Sequence, residues 1–287
     1  MIRKYITSLL LIGFAALGIY HYYLHYQSNP WTRDGQVRAH IIQVTPQVTG
    51  QVVAFEVADN QEVSAGDVLF RIDDRKYIAD FKSAQASVKQ AQAALNKALN
   101  EQHRAKALEK RVQGSVSTLT LNNYQSAVES AQANLDATMA KKDQAQLALQ
   151  YTVVTAPVDG FVTNLNYRVG SQVVANAPVV ALIDKHSFWI EGFFKETDVK
   201  NVRLDQPAKV TLMTDDSEIL NGTVESIGYG ISKSDGSTGN SLLPNVNPNF
   251  QWIRLAQRLP VKIKLDEKHA ETILRVGMTA SVQIIAE

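Results

Sequence analysis

The sequence predicts a mainly β protein with a long α-helical coiled-coil hairpin set into it. One β domain is split by the hairpin, and a small antiparallel β-barrel follows. Three observations carry this. A strand-and-turn pattern is stated twice, far apart in the chain; an unbroken heptad register fills the interval; and period-two alternation returns after the second statement.

The repeat comes first. Gly50, Val52, Phe55, Val57, Asn60, Val63, Ala65, Gly66, Phe70 and Ile72 recur in order as Gly160, Val162, Leu165, Tyr167, Gly170, Val173, Ala175, Asn176, Val180 and Leu182. Asn60 answers Gly170 and Gly66 answers Asn176, the two residue types that most readily adopt positive φ. Gly50, Asn60, Gly66, Gly160, Gly170 and Asn176 are therefore read as structural turn positions. A valine at Gly50 or Gly160 is expected to misfold the domain because a β-branched residue resists positive φ. Each copy has too few strands for a core of its own, so the two are expected to fold against each other.

The interval is helical. Tyr77, Phe81, Ala84, Val88, Ala91, Leu95, Ala98, Gln102 and Ala105 step by four and three, and Leu121, Tyr124, Val128, Ala131, Leu135, Thr138, Lys142, Ala145 and Leu149 by three and four. Proline is absent from both runs, and Gln113 to Thr118 joins them, so residues 74–151 are expected to double back as an antiparallel coiled coil projecting on the order of 55 Å. Asp73 or Asp74 is the expected N-cap of the first helix. The seam is rich in alanine and interrupted by Gln102 and Lys142, so it buries little area per layer, and neighbouring copies are expected to support it.

Beyond the second copy, Phe188–Phe194, Ala208–Met213 and Thr223–Ile227 read as strands, with Asn221 and Gly222 as a primed hairpin turn. Val261, Ile263 and Leu265, and later Ala280, Val282 and Ile284 behind Gly277, alternate with polar residues. Together these suffice for a small barrel. Residues 231–251, bounded by Pro244, Pro248 and Trp252, read as an exposed loop.

At the N-terminus, Ile6 to Tyr26 is apolar and aromatic, follows Arg3 and Lys4, and ends among Tyr20, Tyr22, Tyr23 and Tyr26. A span of about 20 such residues crosses a bilayer, with the basic flank inside and the tyrosines at the far interface. Residues 1–28 are thus expected to be a single-pass transmembrane anchor with the rest of the chain exported, which in a bacterium places it in the periplasm or outside. A cleaved signal peptide is the alternative, although bulky tyrosines stand where a cleavage site needs small residues. The expected layout is anchor 1–28, a linker and first strand 29–43, the split domain 44–73 and 152–184, the hairpin 74–151, and the barrel 185–287.

Composition narrows the function. The net charge of +1 over 287 residues gives no electrostatic case for nucleic acid, and the absence of cysteine removes disulfides, thiolate ligands and thiol nucleophiles. His21 and His25 have the i, i+4 spacing of metal ligands but no third partner nearby. His40, His103, His186 and His269 are dispersed. No phosphate-cradling glycine loop occurs. Catalytic, cofactor-binding and metal sites are all expected to be absent, no cofactor is expected, and the protein is expected not to be an enzyme.

Several segments together resemble the periplasmic membrane fusion proteins of the HlyD and EmrA type. They are Thr32 to Ala39 with Val44 to Val52, Thr155 to Val162, Phe193 to Thr197, Arg258 to Ile263, and Leu274 to Ala280. The resemblance, nearest to the AaeA-like efflux adaptor branch, implies that the split domain is lipoyl-like, a barrel-sandwich hybrid. It implies an adaptor of a tripartite export pump, anchored in the inner membrane with the bulk of the chain in the periplasm, that binds an inner-membrane transporter through the barrel and a TolC-like outer-membrane channel through the hairpin. Self-association into a ring, a trimer or hexamer, follows, with small molecules such as aromatic acids or drugs as cargo. Family hairpin tips often carry Arg, Leu four residues on and Ser seven further, which Arg104, Leu108 and Ser115 fit. Ser117 is a rival whose register would put lysines, Lys106 and Lys110, in the other two places. Gly114, Ser115, Ser117 and Thr118 supply the tight turn and short side chains that end-on docking needs. Two other classes stand beside this: a lipoyl or biotin carrier, for which Lys76 is the nearest modifiable lysine, and a membrane-tethered structural coiled coil.

Overall fold

The computed structural model describes residues 13–18, 20, 29–215, 218–230, 256–266 and 274–285. In chain order the elements are β1 (Trp31–Arg38), β2 (Ile41–Val44), β3 (Gly50–Phe55), β4 (Glu62–Val63), β5 (Val68–Ile72), α1 (Arg75–Arg111), α2 (Thr118–Gln150), β6 (Val153–Thr155), β7 (Gly160–Thr163), β8 (Gln172–Val173) and β9 (Val180–Asp184). There follow β10 (Trp189–Lys195), α3 (Glu196–Val199), β11 (Pro207–Leu212), β12 (Ile219–Ile227), β13 (Arg258–Leu265) and β14 (Thr279–Ile284). They divide into two compact units: residues 41–184, and residues up to 40 together with those from 185 onward.

In the first unit the two copies of the repeat exchange strands. One sheet has the order β2-β9-β7-β4 and the other β6-β5-β3-β8. Since β2, β3, β4 and β5 correspond in the repeat to β6, β7, β8 and β9, each sheet is the image of the other with the copies swapped. The turn hydrogen bonds swap likewise. The Val52 amide donates to the Ser171 carbonyl and that of Val162 to Gln61, while Asn60 donates to Val162 and Gly170 to Val52. Neither copy could satisfy these groups alone, and buried backbone polar groups require partners. The shared core holds Val52 with Val162, Val63 with Val173, Phe70 with Val180 and Ile72 with Leu182, all buried.

Asn60, Gly66, Gly170 and Asn176 have φ between 63° and 94°. Gly50 and Gly160 differ from their assignment as turn positions: they open strands β3 and β7 and have no positive φ. What they require is space. A Cβ on Gly160 would lie 2.1 Å from the Ile183 carbonyl oxygen, and one on Gly50 would lie 2.5 Å from Ile72 Cγ2.

Helices α1 and α2 leave the sandwich between β5 and β6 and return to it. Every predicted seam position is buried or partly buried, with Ala91, Leu95 and Leu135 at the centre. Gln102 is buried in the seam, and its Nε2 donates to Gln125 Oε1 across the hairpin at 2.6 Å. A polar pair of this kind, with one member buried in the seam, fixes register at some cost in stability. Because Gln125 is exposed and could turn to water, Gln102→Leu is expected to stabilise the hairpin by about 1 kcal/mol. A fall in helical melting temperature in that variant would contradict this. At the base, Asp74 holds the N-cap position of α1 but makes no side-chain cap bond; the neighbouring Asp73 carboxylate accepts from the Arg75 amide instead. The Arg75 guanidinium beside Asp73 brings that carboxyl down to about 2. The Tyr77 hydroxyl donates to the Thr49 carbonyl at 2.7 Å, tying α1 to the sandwich.

The second unit is a closed six-stranded barrel in the order β1-β10-β13-β12-β11-β14. Alternate residues point inward, so Val37, Ile190, Phe194, Val210, Leu220, Ile263 and Val282 fill it. Asn221 and Gly222 do not form a hairpin turn. They lie within β12, where Gly222 pairs with Ala208 and with Leu265, and residues 213–218 connect β11 to β12. A Cβ at Gly222 would meet the Lys264 carbonyl oxygen at 2.5 Å, so the glycine serves close strand approach. On the outer face Arg38 pairs with Glu191 at 3.1 Å, while Lys262 pairs with Glu225 at 2.9 Å and stands over the Trp189 ring.

The loop 231–251, His21, His25, His269 and most of the expected anchor 1–28 lie outside the described residues. Gly13–Gly18 is helical. Among the described residues no helix is long and apolar enough to cross a membrane, and no cluster of His, Cys, Asp or Glu could hold a metal ion.

Candidate functional site

The hairpin tip gathers four of the six residues picked out there. Arg104, Leu108, Ser115 and Ser117 line one open cleft of about 500 Å³, together with Glu101, Ala105, Val116, Thr120 and Tyr124. Arg104 and Leu108 are four apart on α1 and so share a face. Gly114 and Thr118 do not line the cleft. Gly114 sits in the turn at φ +86°, and Thr118 is the first residue of α2.

The two serines have different duties. Ser117 is the N-cap of α2: its hydroxyl accepts from the Thr120 amide at 3.1 Å and lies 2.8 Å from Thr120 Oγ1. Ser115 is in the turn itself, where its hydroxyl donates to Glu109 Oε2 at 3.3 Å and keeps its lone pairs for an external donor. The Arg104 side chain has no ion-pair or hydrogen-bond partner among the described residues, so its guanidinium can meet an acceptor that enters the cleft. Leu108 is half-exposed and supplies an apolar floor. The cleft therefore offers a cation, an apolar patch and hydroxyls, without any nucleophile–base pair.

Glu109 was not picked out from the sequence. Its carboxylate accepts from the Gly114 amide at 2.7 Å and the Val116 amide at 2.8 Å, besides the Ser115 hydroxyl. The Gly114 amide above all, then that of Val116, holds its carboxyl below the ordinary glutamate range. A depressed carboxylate stabilises the turn fully above its unfolded value and loses that contribution as pH falls through the depressed one. An NMR titration of the Glu109 carboxyl carbon is expected to show a midpoint below that of a solvated glutamate; a midpoint at or above it would contradict the geometry. Nothing short of the turn's conformation marks Glu109 in the sequence, because a glutamate near a helix end is commonplace.

Lys76 lies in the first turn of α1, not at a hairpin tip where a carrier would present a swinging arm.

A double-swapped sandwich carrying an antiparallel helical hairpin, with a six-stranded barrel beside it in the chain, defines an adaptor architecture. The chain belongs to the membrane fusion protein family. Residues 40–185 match the family model of the RND MFP barrel-sandwich hybrid domain, and residues 187–285 match the AAEA-like beta-barrel domain. It is 39% identical over 281 residues to the uncharacterized protein YdhJ of Escherichia coli K12, with 98% of this chain and 97% of that one covered. Among solved structures it resembles the membrane fusion protein Spr0693 of Streptococcus pneumoniae R6, with TM-score 0.65, 17% identity, and 90% and 99% of the two chains covered. It also resembles MacA of Actinobacillus actinomycetemcomitans, with TM-score 0.63, 20% identity, and 90% and 80% covered. The periplasmic adaptor protein EmrA aligns at TM-score 0.52 and 17% identity over 91% of this chain and 99% of that one. At these identities the structural likenesses establish the fold.

Proposed function

We propose that the protein is a non-enzymatic periplasmic adaptor of a tripartite export pump. Residues 1–28 anchor it in the inner membrane, the barrel binds an inner-membrane transporter, and the hairpin tip docks end-on against a TolC-like outer-membrane channel. Copies of the chain form a ring, a trimer or a hexamer, and the thin alanine-rich seam supports this because it leaves the hairpin short of buried area. The cargo is a small molecule, with aromatic acids or drugs the candidate classes, and its selection belongs to the transporter. The observation that carries the reading is the tip cleft, which brings Arg104, Leu108 and Ser115 together at the far end of a helix pair about 55 Å long.

A photocrosslinker placed at Leu119, an exposed neighbour of the tip that does not line the cleft, in the full-length protein in intact cells tests it. The expected product is an adduct with an outer-membrane channel protein, lost when the same probe replaces Val53 in the sandwich. Adducts confined to the protein itself would refute the docking and favour a tethered structural coiled coil.

A further inference from the structure

We propose that Glu109 is the positioning residue of the docking tip, holding Ser115 and Val116 on the same side of the turn as Arg104 and Leu108; this rests on the docking reading above. Between α1 and α2 only Val112 to Ser117 make the reversal. In that stretch the Ser115 amide is bonded to the Val112 carbonyl at 3.1 Å, and the Val112 amide to Leu108 at 2.9 Å. The amides of Gly114 and Val116 go instead to a single side chain, one to each oxygen of Glu109. With the Ser115 hydroxyl also donating to Oε2, three consecutive residues hang on one carboxylate.

The placement of that acid is unusual for its helix. Glu109 lies in the last turn of α1, where the macrodipole disfavours negative charge and where Lys110 and Arg111 are the favoured kind of residue. What repays it is the turn, whose amides point at both carboxylate oxygens just ahead of the N-terminus of α2. Glutamine in its place could offer one carbonyl oxygen to two amides and would set its NH₂ group against the other. Alanine would leave both amides to water. The local consequence is a turn free to swing Ser115 and Val116 away from the cleft, while the helices and the sandwich, which Glu109 does not touch through any of these bonds, stay folded.

The test compares the full-length protein with Glu109→Ala and Glu109→Gln by two readouts. Amide hydrogen exchange of the detergent-solubilised chain is expected to speed up at Gly114 and Val116 by about tenfold or more in the alanine variant and by less in glutamine, with melting unchanged in both. Capture of the outer-membrane channel by the Leu119 photocrosslinker is expected to fall in the same order. Unchanged exchange at both amides would overturn the proposal, as would faster exchange with undiminished capture. Absence of capture with Glu109 in place would sink the docking reading instead, and the exchange comparison would still decide whether Glu109 holds the turn.

Discussion

Gly160→Val is expected to unfold the barrel-sandwich domain, with a loss of about 4 kcal/mol or more. A Cβ there would lie 2.1 Å from the Ile183 carbonyl oxygen, inside any tolerable contact. The obstruction is backbone of a paired strand, so no side chain can swing aside to relieve it. Strand β7 pairs β9 through Gly160 with Asp184 and β4 through Gly160 with Val63, so both neighbours in the sheet must shift. One of them, β4, comes from the first copy of the repeat, and the damage therefore crosses to the other half of the domain. Gly66→Asn provides the contrast. Gly66 has φ +94° and open space where a Cβ would go, and its counterpart Asn176 already sits at φ 64°. That substitution should cost less than about 1 kcal/mol. Thermal unfolding followed by circular dichroism checks both, and a Gly160→Val protein melting like the parent would show that the sheets tolerate separation at β7.

Gly114→Pro is expected to abolish channel capture while leaving both folded units intact. Proline cannot reach φ +86° and has no amide to give to Glu109, so it removes the turn's conformation and one of its bonds together. Gly114→Asn keeps the amide and tolerates the left-handed region, so capture should largely persist. No Cβ clash complicates the comparison, because nothing lies within 4 Å of the position. Wild-type capture by the proline variant in the Leu119 photocrosslinking assay would detach the tip from docking.

Much of the fold was legible because the repeat encodes burial and turn conformation at once. The paired apolar positions fall in one core because each is inward-facing in a strand that its own copy cannot complete. The heptad register was legible for the same reason, since a seam that fails to face its partner leaves apolar surface in water. Glycine was harder to read. At Gly160 and Gly222 the residue answers a demand for close backbone approach and at Gly50 for room beside the Ile72 side chain, whereas at Gly66, Gly170 and Gly114 it answers a demand for positive φ, and the letter is the same. Asn221-Gly222 misled for this reason: its turn chemistry is overridden by pairing on both sides of β12. At the tip, Arg104, Leu108 and Ser115 were picked out through the resemblance to family hairpin tips, and the structure lines one cleft with all three. Glu109 stayed hidden because its role depends on where the turn aims two backbone amides, which no pattern of side chains specifies.

The most direct measurement shortens the reach without touching the tip. Deleting one matched heptad from each helix, residues 84–90 and 136–142, keeps the seam in register and leaves Arg104 to Thr120 unaltered. Each heptad is about 10 Å of helix. The account predicts a folded protein, with a sandwich melting like the parent, that no longer captures the outer-membrane channel from Leu119 and no longer supports export. Full capture and export by the shortened hairpin would contradict it, since a spike whose length is immaterial is not a bridge.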